Sequence, residues 1–424
     1  MVGRAGGNDT AAAERRFRDK PDRRGPPVSN VPLDDALSPT DAALLRRIGT
    51  AAHESGAHLW LVGGSVRDAL LGRPVLDLDL TSETPAADLG PVLAREVGGQ
   101  VSAHSRFGTV KLRLDGRTID LATVRSETYA HPGALPAVGP GDMRSDLARR
   151  DISINAMAAS LAPGDYGTLL DTVGGLGDLH AGVVRVLHER SFRDDATRIL
   201  RVVRYGVRLR FRIDRRTRRW MRRGAAFLDA VSPARVRREL ERTRDEEDAA
   251  RTLLAAHRLG VLAAVHPALG APPIAPALRR AARRHVRGIA LLGVLLFGLT
   301  PDAARSVAQR LGFTQRQTRV AEGARLLASA RLPEEIVRAV NAAPTEAVEA
   351  AAVASADPVM RRALTRHLRA PGADLLTGAD LLAVGVPEGP EVGRLLHGLR
   401  AAARARTVRS RRGALGWLAK ERAS

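Results

Sequence analysis

Between about Asp41 and Ser160, short apolar runs rich in Val, Leu and Ile alternate with turn residues and helix-like stretches, which predicts a domain containing both a sheet and helices. Beyond Gly177 the texture changes. Long Ala/Leu/Arg segments with apolar residues at three- and four-residue spacing run to the C-terminus, broken at Pro272–Pro276 and near Pro371–Gly372, and predict helices throughout. No fixed-period repeat occurs, which disfavours a solenoid. The longest apolar run, Gly288 to Leu299, covers 12 residues, well short of the roughly 20 that a membrane-crossing helix needs. The first 30 residues are rich in Gly, Pro, Arg and Asp and lack an apolar stretch, so they are expected to form a disordered arm rather than a secretory leader.

The chain has 424 residues, room for about two to four domains. Its formal charge is +21, from 67 basic against 46 acidic residues, and only Lys20, Lys111 and Lys420 are lysines; the other 64 basic residues are arginines. Arginine binds phosphate and stacks on bases better than lysine does. GC-rich coding accounts for the choice of Arg over Lys but not for the excess of base over acid, so a polyanionic partner is the first expectation. The charge is also uneven: Ser191 to Arg223 holds 13 Arg against 3 Asp, and Arg394 to Arg412 holds seven Arg and no acid. Two such blocks beside helical regions favour a phosphate-tracking surface over solvated helix faces. The absence of cysteine excludes a disulfide scaffold, a thiolate zinc site and a cysteine nucleophile, and is compatible with a cytoplasmic location.

Three segments carry candidate chemistry. Leu59-Trp60-Leu61-Val62-Gly63-Gly64-Ser65-Val66-Arg67-Asp68 reads as a strand, a Gly-Gly turn and a helix start. There the backbone of Gly63 and Gly64 can approach a phosphate closely, with Arg67 as counter-charge. In Val75-Leu76-Asp77-Leu78-Asp79-Leu80, strand alternation puts Asp77 and Asp79 on one face and Leu76, Leu78 and Leu80 in the core. A third acid, Asp120, sits in Arg117-Thr118-Ile119-Asp120-Leu121, again opposite apolar neighbours. A polar strand edge explains each acid singly and the set of three poorly. Carboxylates so close repel unless a cation lies between them, and hard oxygen ligands without His or Cys suit Mg²⁺ or Mn²⁺.

Gly63-Gly64-x-Val-Arg-Asp followed by Asp77-x-Asp79 resembles the metal motif of the DNA polymerase β nucleotidyltransferase superfamily, and the remaining motifs resemble its class II tRNA nucleotidyltransferase and poly(A) polymerase branch. Arg149-Arg150-Asp151 looks like the family's ribose-reading motif, and Asp194-Asp195-x-x-Arg198-Ile199-Leu200-Arg201-x-x-Arg204 like its base-reading helix. Leu376-Thr377-Gly378-x-Asp380-Leu381 and Gly389-Pro390-Glu391-x-Gly393-Arg394 resemble tail segments of bacterial members. The resemblance implies an α+β architecture, with a polymerase-β-like head of mixed sheet and helices followed by an all-α neck, body and tail. The expected boundaries are an arm at 1–38, the head at 39–160, the neck at 161–245, and a tRNA-binding body and tail at 246–424. Three departures from the family pattern occur. Asp194 stands for the usual Glu, Ile152 replaces an aromatic residue, and Ser232-Pro233-Ala234-Arg235 lacks the expected acidic residue. No His-Asp dipeptide occurs, so no appended phosphohydrolase domain is expected. Scattered histidines such as His53, His257 and His367 read as surface or packing residues.

At about 100° per residue, Ile199, Leu200, Val202, Val203 and Val207 form an apolar arc with Arg198, Arg201, Arg204 and Arg208 opposite. The plain reading is a basic surface helix with Asp195 and Arg198 as an i,i+3 ion pair. Such a pair also sets an acceptor beside a donor, matching the exocyclic amine and unprotonated ring nitrogen that cytosine and adenine share. Guanine and uracil would leave polar groups mismatched.

The resemblance thus implies addition of C and/or A to the tRNA 3′ end from CTP and ATP, without a template. Asp77 and Asp79 are the expected metal ligands, for two Mg²⁺ or substituting Mn²⁺, and Asp120 completes the catalytic set. Gly64, Arg67, Arg201 and Arg204 are expected at the triphosphate, Arg150 and Asp151 at the ribose, and Asp195 and Arg198 at the base. The basic helical regions would hold the tRNA acceptor arm by shape and phosphate. No membrane and no obligate protein partner is called for. CC-only or A-only addition and poly(A) synthesis stay open, because Thr128 to Leu147, where the family's specificity loop lies, does not reveal the choice. From another class, a non-catalytic RNA-binding protein would share the scaffold, although three intact carboxylates in a basic cleft argue against it. A small-molecule nucleotidyltransferase would share the metal motif but have no use for the basic C-terminal half.

Overall fold

The computed structural model describes residues 30–105, 108–114, 116–369, 375–404 and 407–423. The chain forms two units: residues up to Glu127 with Val138–Ala181, and Thr128–Ala137 with everything from Gly182 onward. Most of the expected arm, and the break at Pro371–Gly372, lie outside the described residues. The end of that arm is built into the head. Asn30 bridges to Thr168, the Val31 amide donates to the Gly167 carbonyl at 2.8 Å, and Val31, Leu33 and Leu37 are buried. Their apolar side chains give residues 31–37 a reason to pack, so ordered structure begins ahead of residue 39.

The head is built on a seven-stranded mixed sheet. Its strands are β1 (Leu59–Val62), β2 (Asp79–Ser82), β3 (Gln100–Ser105), β4 (Thr109–Leu114), β5 (Arg117–Thr123), β6 (Ala158–Ser160) and β7 (Leu169–Leu170), in the spatial order β3-β4-β5-β2-β1-β6-β7. β2 and β5 run parallel and every other neighbouring pair is antiparallel. Alternation fixes which face is buried: Val110, Leu112 and Leu114 of β4 and Ile119 and Leu121 of β5 are enclosed, while Lys111 and Asp120 point the other way. Each such Leu or Ile contributes roughly 1.5–3 kcal/mol relative to exposure, enough that a one-residue slip of register would be prohibitive.

Helices cover the apolar face. α1 (Pro39–Glu54) starts where Ser38 accepts from the Asp41 amide at 3.1 Å with proline at its first position, and it buries Leu44, Leu45, Ile48, Ala51 and Ala52. It packs on α3 (Ala86–Glu96), which lies against β3 and β4. Between these, α2 (Gly64–Leu70) follows β1 directly. α4 (Met143–Ala148) is started by a capping box between Asp142 and Ser145. The head continues past Ser160, because β7 pairs with β6 and the turn of helix at Gly175–His180 belongs to the same unit.

Among the described residues from Gly182 onward, the second unit is helical apart from one two-stranded pairing of Val183–Val184 with Arg212–Ile213. α5 (Arg198–Leu209), α6 (Arg215–Gly224) and α7 (Pro233–Arg244) carry the first basic block and the segment after it. The long apolar run becomes α8 (Ala290–Leu296), whose seven residues are all buried, a core helix of two turns. No helix among the described residues is long and apolar enough to cross a membrane. Two further apolar clusters organise the C-terminal helices: one around Leu327, Val348, Ala351 and Leu364, the other around Leu381, Leu395, Leu399 and Leu418.

Candidate active site

The strand, turn and helix expected at residues 59–68 are present. Gly63 caps α2 at φ +76°, in the left-handed region, and a Cβ there would lie 2.9 Å from Arg150 Nη1. Glycine is therefore required both by the backbone and by the guanidinium lying against the turn. Arg150 is held by Asp146, donating from Nη2 at 3.1 Å and from Nε at 3.4 Å. Asp146 is fully buried and also accepts from Arg149, whose Nη1 donates to Glu127 at 2.9 Å. Asp151 accepts from the Ile152 amide at 2.9 Å and from Asn155 Nδ2 at 3.4 Å. The Arg-Arg-Asp segment thus orients one arginine, anchors the other, and fixes its carboxylate.

Arg67 lies at the Gly-Gly turn, its Nη2 3.4 Å from where a Cβ on Gly64 would stand. It is 2% exposed, donates from Nε and Nη2 to Asp68 at 2.9 and 2.7 Å, and from Nη1 to Asn155 Oδ1 at 2.6 Å. A guanidinium held in this way braces the turn against the Arg-Arg-Asp segment. Asn155, which links Arg67 to Asp151, stands in the stretch Arg149–Ala158 that resembles the ribose-reading motif but was given no role there, and Asp146 was not singled out.

Asp79 and Asp120 are Cα partners across the parallel β2–β5 ladder, and Lys111 is the partner of Asp120 across β4–β5, so the three side chains form a row on one face of the sheet. Lys111 Nζ donates to Asp120 Oδ1 at 2.8 Å. Asp77 is set apart: β2 begins at Asp79, so Asp77 lies in the extended approach to the strand. The expected alternation also fails at Leu76, which is 75% exposed, while Leu78 and Leu80 are buried as expected. Solvent reaches the Asp79 side chain, yet its carboxyl is crowded enough that desolvation pushes it above its ordinary value. Arg150 opposes this shift, and the Asp120 and Asp77 charges reinforce it. Among the described residues, no three His, Asp or Glu side chains are drawn together tightly enough to form a metal cluster as they stand. The donor set nonetheless fits a divalent hard cation: mutually repelling carboxylates in register, no imidazole or thiolate, and a lysine occupying the place of a counter-charge.

In the second unit, Asp195 follows the single helical turn Ser191–Asp194, and its Oδ1 accepts from the Thr197 amide (2.9 Å), Thr197 Oγ1 (2.6 Å) and Arg235 Nη2 (2.9 Å). Arg198 begins α5 and is buried. Arg235 Nη1 also donates to the carbonyls of Gly133 (3.1 Å) and Ala134 (3.4 Å), and so connects Asp195 with the segment Thr128–Ala137. Gly133 sits at φ +82°, where a Cβ would fall 2.2 Å from the Ala230 carbonyl oxygen. The sequence reading looked for an acid in Ser232–Arg235; the operative group there is the arginine.

An acid lies one turn further on. Glu239 accepts from Arg204 Nη2 at 2.9 Å, pairs with Arg201 at 3.8 Å and accepts from Arg242 at 2.6 Å, while Glu246 pairs with Arg204 at 3.6 Å and Arg208 at 3.7 Å. Of the apolar arc of α5, Ile199, Leu200, Val202 and Val203 are buried as expected and Val207 is half-buried. The helix's basic face meets carboxylates of its own unit, however, and Arg204 is itself buried in an ion pair with Glu239. On α6, by contrast, Arg215, Arg216, Arg218, Arg219, Arg222 and Arg223 are all exposed.

Residues 59–185 match the Poly A polymerase head domain, and residues 210–271 match the probable RNA and SrmB-binding site of polymerase A. A CC-adding tRNA nucleotidyltransferase of Geobacter sulfurreducens is 30% identical over 91% of this chain and 97% of its own length. The chain belongs to the tRNA nucleotidyltransferase family. An A-adding member from Aquifex aeolicus is 47% identical over 163 residues, covering 38% of this chain and 20% of that protein. The chain spans between 20% and 52% of the length of three A-adding relatives. Among solved structures, the Thermotoga maritima CCA-adding enzyme complexed with tRNA is similar at a TM-score of 0.68 and 26% identity, over 92% of this chain and 98% of that one. The expected α+β class, a mixed-sheet nucleotidyltransferase head followed by helices, agrees with this likeness. The carboxylate row lies within the matched head, in a family that generally depends on divalent metal ions.

Proposed function

We propose that this protein is a cytoplasmic tRNA nucleotidyltransferase that adds C, A or both to the tRNA 3′ end from CTP and ATP, without a nucleic-acid template. The observation that carries the reading is the in-register pair Asp79 and Asp120, with Asp77 just ahead, on the open face of a head of this family. Asp77, Asp79 and Asp120 would hold two Mg²⁺ ions, with Mn²⁺ able to take their place. When bound, these ions supply charge neutralisation at the triphosphate and lower the pKa of the RNA 3′-hydroxyl. That oxygen forms its bond to the α-phosphorus as the bond to pyrophosphate breaks, so no protein nucleophile is needed.

The other residues bind and orient. Arg150, aimed across the Gly63-Gly64 turn by Asp146, is the ribose-side cation, with Asp151 fixed beside it. Asp195, its Oδ1 held by Thr197 and Arg235, would accept from the exocyclic amine of cytosine or adenine, with Arg198 as donor to the ring nitrogen. Gly64, Arg67, Arg201 and Arg204 are the candidates for the triphosphate, with Arg67 also bracing the turn and Arg204 also paired to Glu239. The exposed arginines of α6 and of the tail would track the tRNA backbone.

The test is to supply CTP or ATP separately, with Mg²⁺, to tRNA ending at the discriminator base, at C and at CC, and to size the products. Incorporation of both C and A supports the full reading. Addition of CC without A narrows it to the CC-adding reaction, A addition restricted to the CC-ended tRNA narrows it to the A-adding one, and long A tails favour poly(A) synthesis. No incorporation with tRNA still bound would favour a non-catalytic RNA-binding protein. Asp77→Ala is expected to abolish incorporation and leave tRNA binding nearly unchanged; retained activity would refute the carboxylate assignment.

A further inference from the structure

Lysine is scarce in this chain, 3 residues against 64 arginines, and Lys111 is the one lysine of the head among the described residues. It stands beside the third carboxylate of the row. Its Nζ takes a single oxygen, Asp120 Oδ1, at 2.8 Å, and both side chains are about half exposed (52% and 43%). An arginine, the default cation of this sequence, would present a planar fork able to clasp both carboxylate oxygens at once. A lysine is a point charge on a flexible stem, able to hold one oxygen and leave the other for a different ligand.

We propose that Lys111 is a positioning residue that serves as a one-pronged, detachable counter-charge for Asp120. It stabilises the acidic row before a divalent cation arrives and weakens nucleotide-free cation binding without blocking it. The proposal rests on the reading of Asp77, Asp79 and Asp120 as metal ligands. Removing a positive charge a few ångströms from the cation should tighten binding about threefold to tenfold, the scale of one unit charge near a protein surface. Installing a fork should weaken it.

The experiment is titration of the nucleotide-free full-length protein with Mn²⁺, followed by the electron paramagnetic resonance signal of the free ion, for the parent protein and for Lys111→Met, Lys111→Arg and Asp77→Ala. Lys111→Met keeps the stem and loses the charge, and is expected to bind Mn²⁺ about threefold to tenfold more tightly. Lys111→Arg is expected to bind more weakly than the parent. Equal affinities for the parent and Lys111→Met, with binding still lost in Asp77→Ala, would overturn the role of Lys111 and leave the metal site standing. Binding indifferent to Asp77→Ala would overturn the site and the proposal together. Far-UV circular dichroism identifies any variant that fails to fold, and the arginine variant, which keeps the charge at an exposed strand position, carries the test in that event.

Discussion

Two consecutive helices of the second unit, α5 with four arginines in 12 residues and α6 with six in 10, place their charge in opposite ways. In α5, Arg201, Arg204 and Arg208 face Glu239 and Glu246, and Arg204 and Glu239 are both nearly excluded from solvent. In α6 only Thr217, Met221 and Gly224 are buried, all six arginines are exposed, and among the described residues its one ion pair is the exposed Arg223–Glu189 contact at 3.2 Å. The difference lies in what the rest of the chain supplies. α7 and the turn after it bring two carboxylates to α5, and nothing comparable reaches α6. A basic surplus therefore divides into charge neutralised inside the protein, which holds a helix in place, and charge left outside, which is available to a polyanion.

The largest expected effect comes from removing the internal partner. Glu239→Ala leaves the buried Arg204 guanidinium with only the longer Glu246 contact at 3.6 Å, and breaking a buried pair from one side costs roughly 3–5 kcal/mol. Urea unfolding measures it, and a loss below about 1 kcal/mol would mean that α5 is no better neutralised than α6. Next in size is the joint substitution of Arg218, Arg219 and Arg222 by Ala. Stability should change by no more than about 0.5 kcal/mol for each exposed site. Affinity for tRNA should fall at least about tenfold, and the slope of log affinity against log salt should flatten by about two units. Unchanged affinity with an unchanged slope would remove α6 from the RNA surface.

The limits of sequence reading follow the same division. Features set by local periodicity were legible: the turn at Gly63-Gly64, the opposed faces of β5 that separate Asp120 from Ile119 and Leu121, and the apolar arc of α5. Features set by partners far along the chain were not. Arg204 meets Glu239 from 35 residues away, Arg235 reaches back 102 residues to Gly133, and Lys111 finds Asp120 only through the β4–β5 register. A basic helix reads the same whether or not a carboxylate will be folded against it. The alternation in Val75–Leu80 misled for a related reason: the pattern continues to Leu76, but the strand begins at Asp79, and ahead of it no neighbour covers the side chain. Residues 31–37 misled in the reverse direction, since a few apolar side chains in a polar arm were enough to tie it to the head.

Arg208 lies on the boundary between the two behaviours and gives the smallest expected effect. It is in the last turn of α5, pairs with Glu246 at 3.7 Å, and its side chain remains 45% exposed. An ion pair of that exposure is screened by solvent, so Arg208→Ala should cost less than about 1 kcal/mol. The cost should shrink further as salt rises, because exposed pairs are screened over a Debye length of about 8 Å at physiological ionic strength. The loss from Glu239→Ala, by comparison, should persist in salt, since water and ions do not reach that pair. Unfolding of both variants at low and high salt measures the contrast. A salt-independent loss for Arg208→Ala as large as that for Glu239→Ala would extend the buried network to the end of α5 and move the boundary between the two kinds of arginine into the connection before α6.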